Sequence, residues 1–401
     1  MKAVIIHGLL ALFGLGFAYQ TWSREPDAEE APGAVTVAEC REGDLRTLEL
    51  ESTTTRVTVE PQRQGDDALY WITTQKKPAD AAKKPPDAGA AEPVKEDETL
   101  KPKRFLANAA FKDYLKRLAP LRAVQGLGEL PKDKLADFGF DKVETRLKLE
   151  CGGAAGKAIE LEAGAKTFGS GQRYVRDAKS RQAYLFSDDV VSDLQSAQFK
   201  FMQTDLHVFE PAEIEEASVD VRGTKKRLLH RDRKLDDRAT WVDAGAPDKK
   251  NELYDNWFSR LTRLRAREYL APGVEPGADV KSGAGEQTLA LRIDYKVEGK
   301  PDGKLELVRV QEGASAAKYY ARTETTRGWV TVFDSAAKEV EQDAAMVVGL
   351  EEAPASKTAP KAAAPGATET STSVHGAPHG GAPVPGLPAG HPPMPKDPHA
   401  H

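Results

Sequence analysis

Two stretches of this chain carry the same apolar stripe, and that echo constrains the fold more than any other feature. Phe111, Tyr114, Leu115, Leu118 and Leu121 are matched by Tyr254, Trp257, Phe258, Leu261 and Leu264, each 143 positions later, and both sets end in Leu-Arg-Ala. Spacing of i, i+3, i+4, i+7 predicts an amphipathic helix that has to bury one face against a second layer. Downstream, the stretch from Tyr174 to Phe186 echoes that from Tyr320 to Val332, with Arg176 and Arg181 answering Arg322 and Arg327 at an offset of 146. Helix-like runs follow each, through Leu194 and Val340. Upstream, Arg56, the Asp66-Asp67 turn and Trp71 answer Arg227, Asp236-Asp237 and Trp241 at an offset of 170 or 171.

Residues 76–103 account for the larger upstream offset. This Pro/Ala/Lys/Asp-rich run has almost no large apolar side chain, so it cannot repay the entropy of ordering and reads as a disordered insert. Alternation in Arg56-Val57-Thr58-Val59, in the stretches 145–149 and 158–161, and in the stretches 289–293 and 305–308 predicts half-buried strands. The expected fold class is therefore α+β: two tandem copies of a strand-strand-helix-strands-helix module after one N-terminal transmembrane helix. A period this long excludes a solenoid. The expected boundaries are an anchor or signal segment at 1–22, a linker at 23–34, a first module at 35–195, a second at 196–346 and a disordered Ala/Pro/Gly/His-rich tail at 347–401.

From Ala3 to Trp22 there is no formal charge, and a helix of about 20 residues reaches roughly 30 Å, one hydrocarbon thickness. Lys2 precedes this segment, whereas Glu25, Asp27, Glu29 and Glu30 follow it. The bias predicts a cytoplasmic N-terminus with the bulk outside. Gly16-Phe17-Ala18 offers a competing signal-peptide cleavage site, but Tyr19 and Trp22 suit an interfacial belt and favour an anchor. His7 stands alone in the span and reads as tolerated rather than as a proton relay.

A net charge of -5, from 57 basic and 62 acidic residues, gives no global field for nucleic acid. The two cysteines, Cys40 and Cys151, form no metal or C-x-x-C motif. In an exported chain they could pair as one disulfide; otherwise they are two inert small hydrophobes, and the sequence leaves both open.

The hydrophobic opening, Phe138-Gly139-Phe140-Asp141 ahead of a strand, and Tyr174-Val175-Arg176 leading into Ala183-Tyr184-Leu185 form a pattern together with Trp241, Pro247, Asp248 and the Leu261–Leu264 segment. In this combination the chain resembles the family known as domain of unknown function 4340, over most of residues 35–345. That resemblance implies a bacterial envelope protein; joined to the uncharged opening, it sets the expectation of an inner-membrane, single-pass protein with its bulk in the periplasm or extracytoplasmic space. It also implies an accessory role beside an ABC-type export or gliding-associated transporter, with a permease or auxiliary subunit as partner. No catalytic residue comes with it.

Local chemistry is sparse. His207 and His230, both expected on strand-like segments, lack any nucleophile-elbow or metal-ligand surroundings. Gly164 to Gly171 is glycine-rich but lacks the order of a phosphate loop and reads as a turn. Adjacent acids at Asp66-Asp67, Asp188-Asp189 and Asp236-Asp237 suit turns better than acid and base work, which needs separated carboxylates. Between Arg222 and Arg238 a surplus of five positive charges, with Arg260, Arg263, Arg265 and Arg267 nearby in sequence, offers a basic face for an acidic partner or lipid headgroups; the competing reading is a solvated hairpin surface. His375, His379, His391, His399 and His401 are metal-capable but lack preorganisation. The sequence thus predicts no catalytic, cofactor-binding or metal residues, no cofactor and no nucleic-acid partner. It predicts a non-enzymatic membrane-anchored accessory or scaffold protein. The alternative is a glycan or cell-wall binding module using Trp241, Trp257 and Trp329. Partner identity and oligomeric state stay open.

Overall fold

The structure is a computed structural model that describes residues 33–64, 67–78, 100–152, 158–235, 238–278, 286–311 and 316–352. Its first part runs β1 (Val35–Ala38), β2 (Leu45–Ser52), β3 (Thr55–Gln64), β4 (Asp67–Lys76), β5 (Lys103–Leu106), α1 (Ala109–Leu118), β6 (Leu121–Ala123), β7 (Gln125–Glu129), β8 (Thr145–Cys151), β9 (Ala158–Lys166), β10 (Gln172–Asp177), β11 (Gln182–Ser187), α2 (Asp189–Gln195) and α3 (Ala197–Phe201). There follow β12 (Ile214–Val221), β13 (Thr224–Arg231), β14 (Thr240–Asp243), α4 (Glu252–Leu261), β15 (Glu268–Tyr269), β16 (Glu286–Val297), β17 (Gly303–Gln311), β18 (Lys318–Thr323), β19 (Val330–Thr331) and α5 (Asp334–Val348).

These strands form three sheets. The largest has the order β5-β4-β3-β2-β8-β9-β10-β11-β7, the second β14-β13-β12-β16-β17-β18-β19-β15, and β1 pairs with β6 as a small third. All pairings are antiparallel among the described strands, as hairpin-connected neighbours allow. Both large sheets lie within one compact unit.

Alternation sets the faces. Leu48 and Leu50 of β2, Val57 and Val59 of β3, and Leu147 and Leu149 of β8 point into one core with Phe111, Tyr114, Leu115 and Leu118 of α1. Asn108 caps α1 by accepting from the Phe111 amide at 3.3 Å, and Pro120, which lacks an N–H and cannot continue the helix, follows its end. In the second core Trp241 stacks on Phe258 with ring centroids 3.6 Å apart, and Trp257 donates its indole N–H to the Val340 carbonyl at 3.0 Å. There the covering helices are α4 and α5, which pack on each other and on the sheet. The first core runs from Ala38 to Phe201 and the second from Leu206 to Val348.

Each large sheet also has material on its other face. Phe138-Gly139-Phe140 lies against β9: the Ala165 amide donates to the Phe138 carbonyl at 2.9 Å, and Arg176 sits 4.6 Å over the Phe140 ring. Gly139 has a φ of +72, and a Cβ there would meet the Ala165 nitrogen at 2.6 Å. On the second sheet, the segment after β15 covers Val308, Val310, Tyr320 and Trp329; Glu275 accepts from the Trp329 indole at 2.9 Å. Cys40 and Cys151 are joined by a disulfide spanning 111 residues.

Several expectations are corrected. The fold is mostly β, with nineteen strands and five α-helices among the described residues, not an α+β helix-strand module repeat behind a transmembrane helix. The helical stripe misled because it continues past the helix: α1 ends at Leu118 and α4 at Leu261, while Leu121 lies in β6 and Leu264 in the following turn, both still buried. Meanwhile strands such as β7, with Gly126 and Gly128, carry too little alternation to be seen. Among the described residues no helix is long and apolar enough to cross a membrane, so the transmembrane and inner-membrane readings are withdrawn. The stretch 3–22 itself, with His7, lies outside the described residues, as do most of the 76–103 insert and the tail beyond 352. Lys76 and Lys103 are not linker but close β4 and open β5.

Candidate functional site: a cation-rich seam between the sheets

The two large sheets meet where β5, at one edge of the first, lies beside β15, at one edge of the second. Lys103 of β5 donates to Glu268 of β15 at 2.6 Å. The Ala266 amide donates to the Thr204 carbonyl at 2.8 Å. Tyr269 packs against both cores, donates its hydroxyl to the Gln203 carbonyl at 2.9 Å and meets the Trp71 ring edge to face. Burial pushes its phenol pKa far above the ordinary value, so the hydroxyl stays protonated and donating.

Around this junction the surface is concave. Its largest part, about 770 Å³, is lined by Arg63, Trp71, Arg104, Tyr269, Arg322 and Trp329, among others. Arg104 lies 4.6 Å over Trp71, and Arg322 lies 4.4 Å over Trp329, so each ring carries a guanidinium on its face. Two neighbouring concavities continue the seam past Lys101 and Lys103.

Arg176 and Arg322, singled out in the sequence, have parallel roles. Arg176 donates Nε and Nη2 to Glu162 at 2.9 and 2.5 Å, and Arg322 donates the same two nitrogens to Glu306 at 2.9 and 2.6 Å. Their companions Arg181 and Arg327 both sit in hairpin turns with φ of +61 and +58. That left-handed conformation is uncommon for a side chain of this size.

The other candidates have structural partners. His207 lies in a loop rather than a strand, stacked on Phe209 and 2.8 Å from Glu324. Burial raises the Glu324 carboxyl, but the bond and charge of His207 outweigh it and hold it below the usual range. His230 is on β13, stacked 4.4 Å from Trp241; burial pushes its imidazole pKa down. Asp188 accepts from Arg173 and Lys166, each at 2.7 Å; burial opposes these bonds but they keep its pKa depressed. Asp189 pairs with Arg117, whereas Asp66, Asp236 and Asp237 lie outside the described residues. Gly164 belongs to β9, and the turn occupies only 167–171.

The basic run from 222 to 238 is largely matched by carboxylates. Lys225 pairs with Asp220, Lys226 with Asp243, Arg227 with Glu216, Arg233 with Glu215 and Glu298, and Lys234 with Glu298. Arg260 and Arg265 pair with Asp343 and Asp205, and Arg267 lies over Phe333. Trp241 and Trp257 are in the core, and Trp329 is 7% exposed with Arg322 on its ring, which leaves these three no open stacking face. No cluster of three or more His, Cys, Asp or Glu is placed to hold a metal among the described residues.

Sequence reasoning passed over Trp71 with Arg104, and Tyr269 altogether as a joint. They come from three separate segments, and no local spacing links them.

Two broad antiparallel sheets, helix-covered and joined edge to edge at a cation-rich seam, define a mostly β class of protein. The family model described as "Domain of unknown function (DUF4340)" matches residues 106–285, and the chain resembles that family over this span. The span includes Phe138–Asp141, Tyr174–Arg176 and Trp241 but not the hydrophobic opening, and it is shorter than the expected 35–345. Comparison with curated proteins and with solved structures found no match.

Proposed function

We propose that this chain is a non-enzymatic accessory or scaffold protein whose partner is a protein component, a permease or auxiliary subunit, of an ABC-type transport or gliding-associated system. The observation that supports a scaffold is the seam itself. It is a wide, arginine-bearing concavity between the edges of two sheets, joined at Tyr269, which is the kind of surface a protein segment can lie along. The family resemblance supports the transporter partner.

The reactive-type groups point the same way. His207, His230, Asp188 and Asp189 each serve a stack or an ion pair that the fold itself uses. Affinity purification of the full-length tagged chain tests the reading. Transporter subunits are expected to co-purify; their reproducible absence, together with unaltered transport in a deletion strain, overturns it.

A further inference from the structure

We infer that the seam between the sheets is the docking groove for an extended acidic segment of a partner polypeptide. The inference rests on the scaffold reading and names the chemistry the partner must present.

The chain as a whole carries a net charge of -5. Along the seam the balance reverses. Three concavities that run into one another through Lys101 and Lys103, and then Arg104 and Tyr269, are lined by eight Lys and Arg against three Glu. All three acids already have partners: Glu268 takes Lys103, Glu60 takes Arg104 at 3.4 Å, and Glu275 accepts from the Trp329 indole. Lys76, Lys101, Arg267 and Arg327 have no carboxylate partner among the described residues, and all four are exposed. Like charges gathered in a concave, partly desolvated surface repel one another, and an anionic occupant relieves that repulsion.

In the basic run from 222 to 238, by contrast, five of the eight cations have carboxylate partners, and on β13 itself Arg231 alone of four has none among the described residues. The seam, where the unpaired cations line connected concavities, suits an acidic ligand better.

The aromatic rings narrow the choice further. Sugars are held by stacking on open ring faces, yet Arg104 covers Trp71 and Arg322 covers Trp329. Arg104 and Arg322 are themselves held by Glu60 and Glu306, so the carboxylates of an occupant fall to the unpaired Lys76, Lys101, Arg267 and Arg327 beside them. An extended polypeptide places alternate side chains on one face about 6.6–6.8 Å apart, so a segment with acids at every second position presents a row of carboxylates to a row of cations.

Fluorescence anisotropy on the full chain tests this with a labelled peptide of about twelve residues alternating Glu and Ser, a length of roughly 40 Å when extended. The peptide is expected to bind, more weakly as salt rises. Affinity should drop about tenfold in the double variant Lys101→Glu, Arg327→Glu, whose thermal midpoint should match the parent because both side chains are exposed. Lys225→Glu, on the matched β13 surface, should leave affinity unchanged. Equal binding of a Gln-Ser peptide, no loss in the double variant, or tighter binding of an oligouronate or inorganic phosphate than of the Glu peptide would each overturn the inference. Transporter subunits that co-purify with a chain that ignores the Glu peptide would likewise sink the groove while leaving the accessory reading intact.

Discussion

Trp71 of the first large sheet and Tyr269 of the second meet edge to face, with ring centroids 6.0 Å apart and planes at 89°. This pair ties two cores that otherwise have separate memberships, because Tyr269 touches both. Replacing Tyr269 by Phe keeps the ring and removes one hydrogen bond, so a loss of about 1 kcal/mol is expected. Tyr269→Ala also empties the joint and should cost about 3 kcal/mol. Urea unfolding followed by tryptophan fluorescence checks both, and equal midpoints for the two variants would show that the ring contributes nothing.

Gly164 is a second point of close approach. A Cβ there would run into the Phe138 carbonyl oxygen and the Phe140 ring. Gly164→Ala should displace the 138–140 segment and lower stability by about 1–3 kcal/mol. Gly43→Ala, where a Cβ meets nothing within 4 Å, is the control and should be near neutral. Thermal unfolding of the two variants side by side decides the matter.

The disulfide between Cys40 and Cys151 closes a loop of 111 residues. In the chain-entropy picture a loop of about that length stabilises by roughly 4–5 kcal/mol. Reduction, or replacement of both cysteines by Ala, should lower the urea midpoint accordingly; an unchanged midpoint under full reduction would rule the bond out as a stabilising element.

Acid should weaken the fold in two stages. Burial beside Trp241 and Phe258, with the Arg233 charge adding to it, lowers the His230 pKa in the folded state, against the pull of Asp255 and the Ile214 carbonyl. The unfolded chain then binds a proton that the folded chain refuses. Stability falls as pH drops below the unfolded value of about 6.5, until the lowered folded value is reached. His230→Gln should flatten that slope below about pH 6.5. The second stage belongs to the carboxylates. Bonds from Arg233 and Lys234 hold Glu298 down to about 2, so its contribution is complete above the ordinary 4.5 and is lost as pH falls toward 2. Chemical denaturation across this range, with and without Glu298→Gln, separates the two stages.

Arg176 and Glu162 form a buried pair on neighbouring strands. Glu162→Gln leaves the guanidinium without its counter-charge and should cost about 3 kcal/mol, whereas the paired change to Met and Leu should recover much of it. A double-mutant cycle read by denaturant midpoints tests the coupling.

How much of this was legible before the structure depends on range. Strands with strict alternation, such as β3 and β8, announced themselves because one face meets the core and the other meets water. Glycine-bearing β7 and two-residue β15 did not, since their pairing is set by neighbours far along the chain. Leu121 and Leu264 kept helical spacing by coincidence of burial, not by helical geometry, and so inflated the helical share. Arg176 and Arg322 stood out in the sequence, but the acids they bind were invisible until β9 and β17 were laid beside β10 and β18. The seam was hidden for the same reason: Trp71 and Arg104 become neighbours only when β4 pairs with β5, and Tyr269 reaches them only when the two sheet edges meet.

One practical result concerns attempts to express either half alone. Ala197 and Phe201 complete the first core from beyond residue 195, while Tyr269 plugs it from the far side of the chain. A fragment stopped at residue 195 would carry a greasy hollow at its rim and tend to clump. A usable split would have to leave α3 with the first half and supply a substitute for the missing phenol ring.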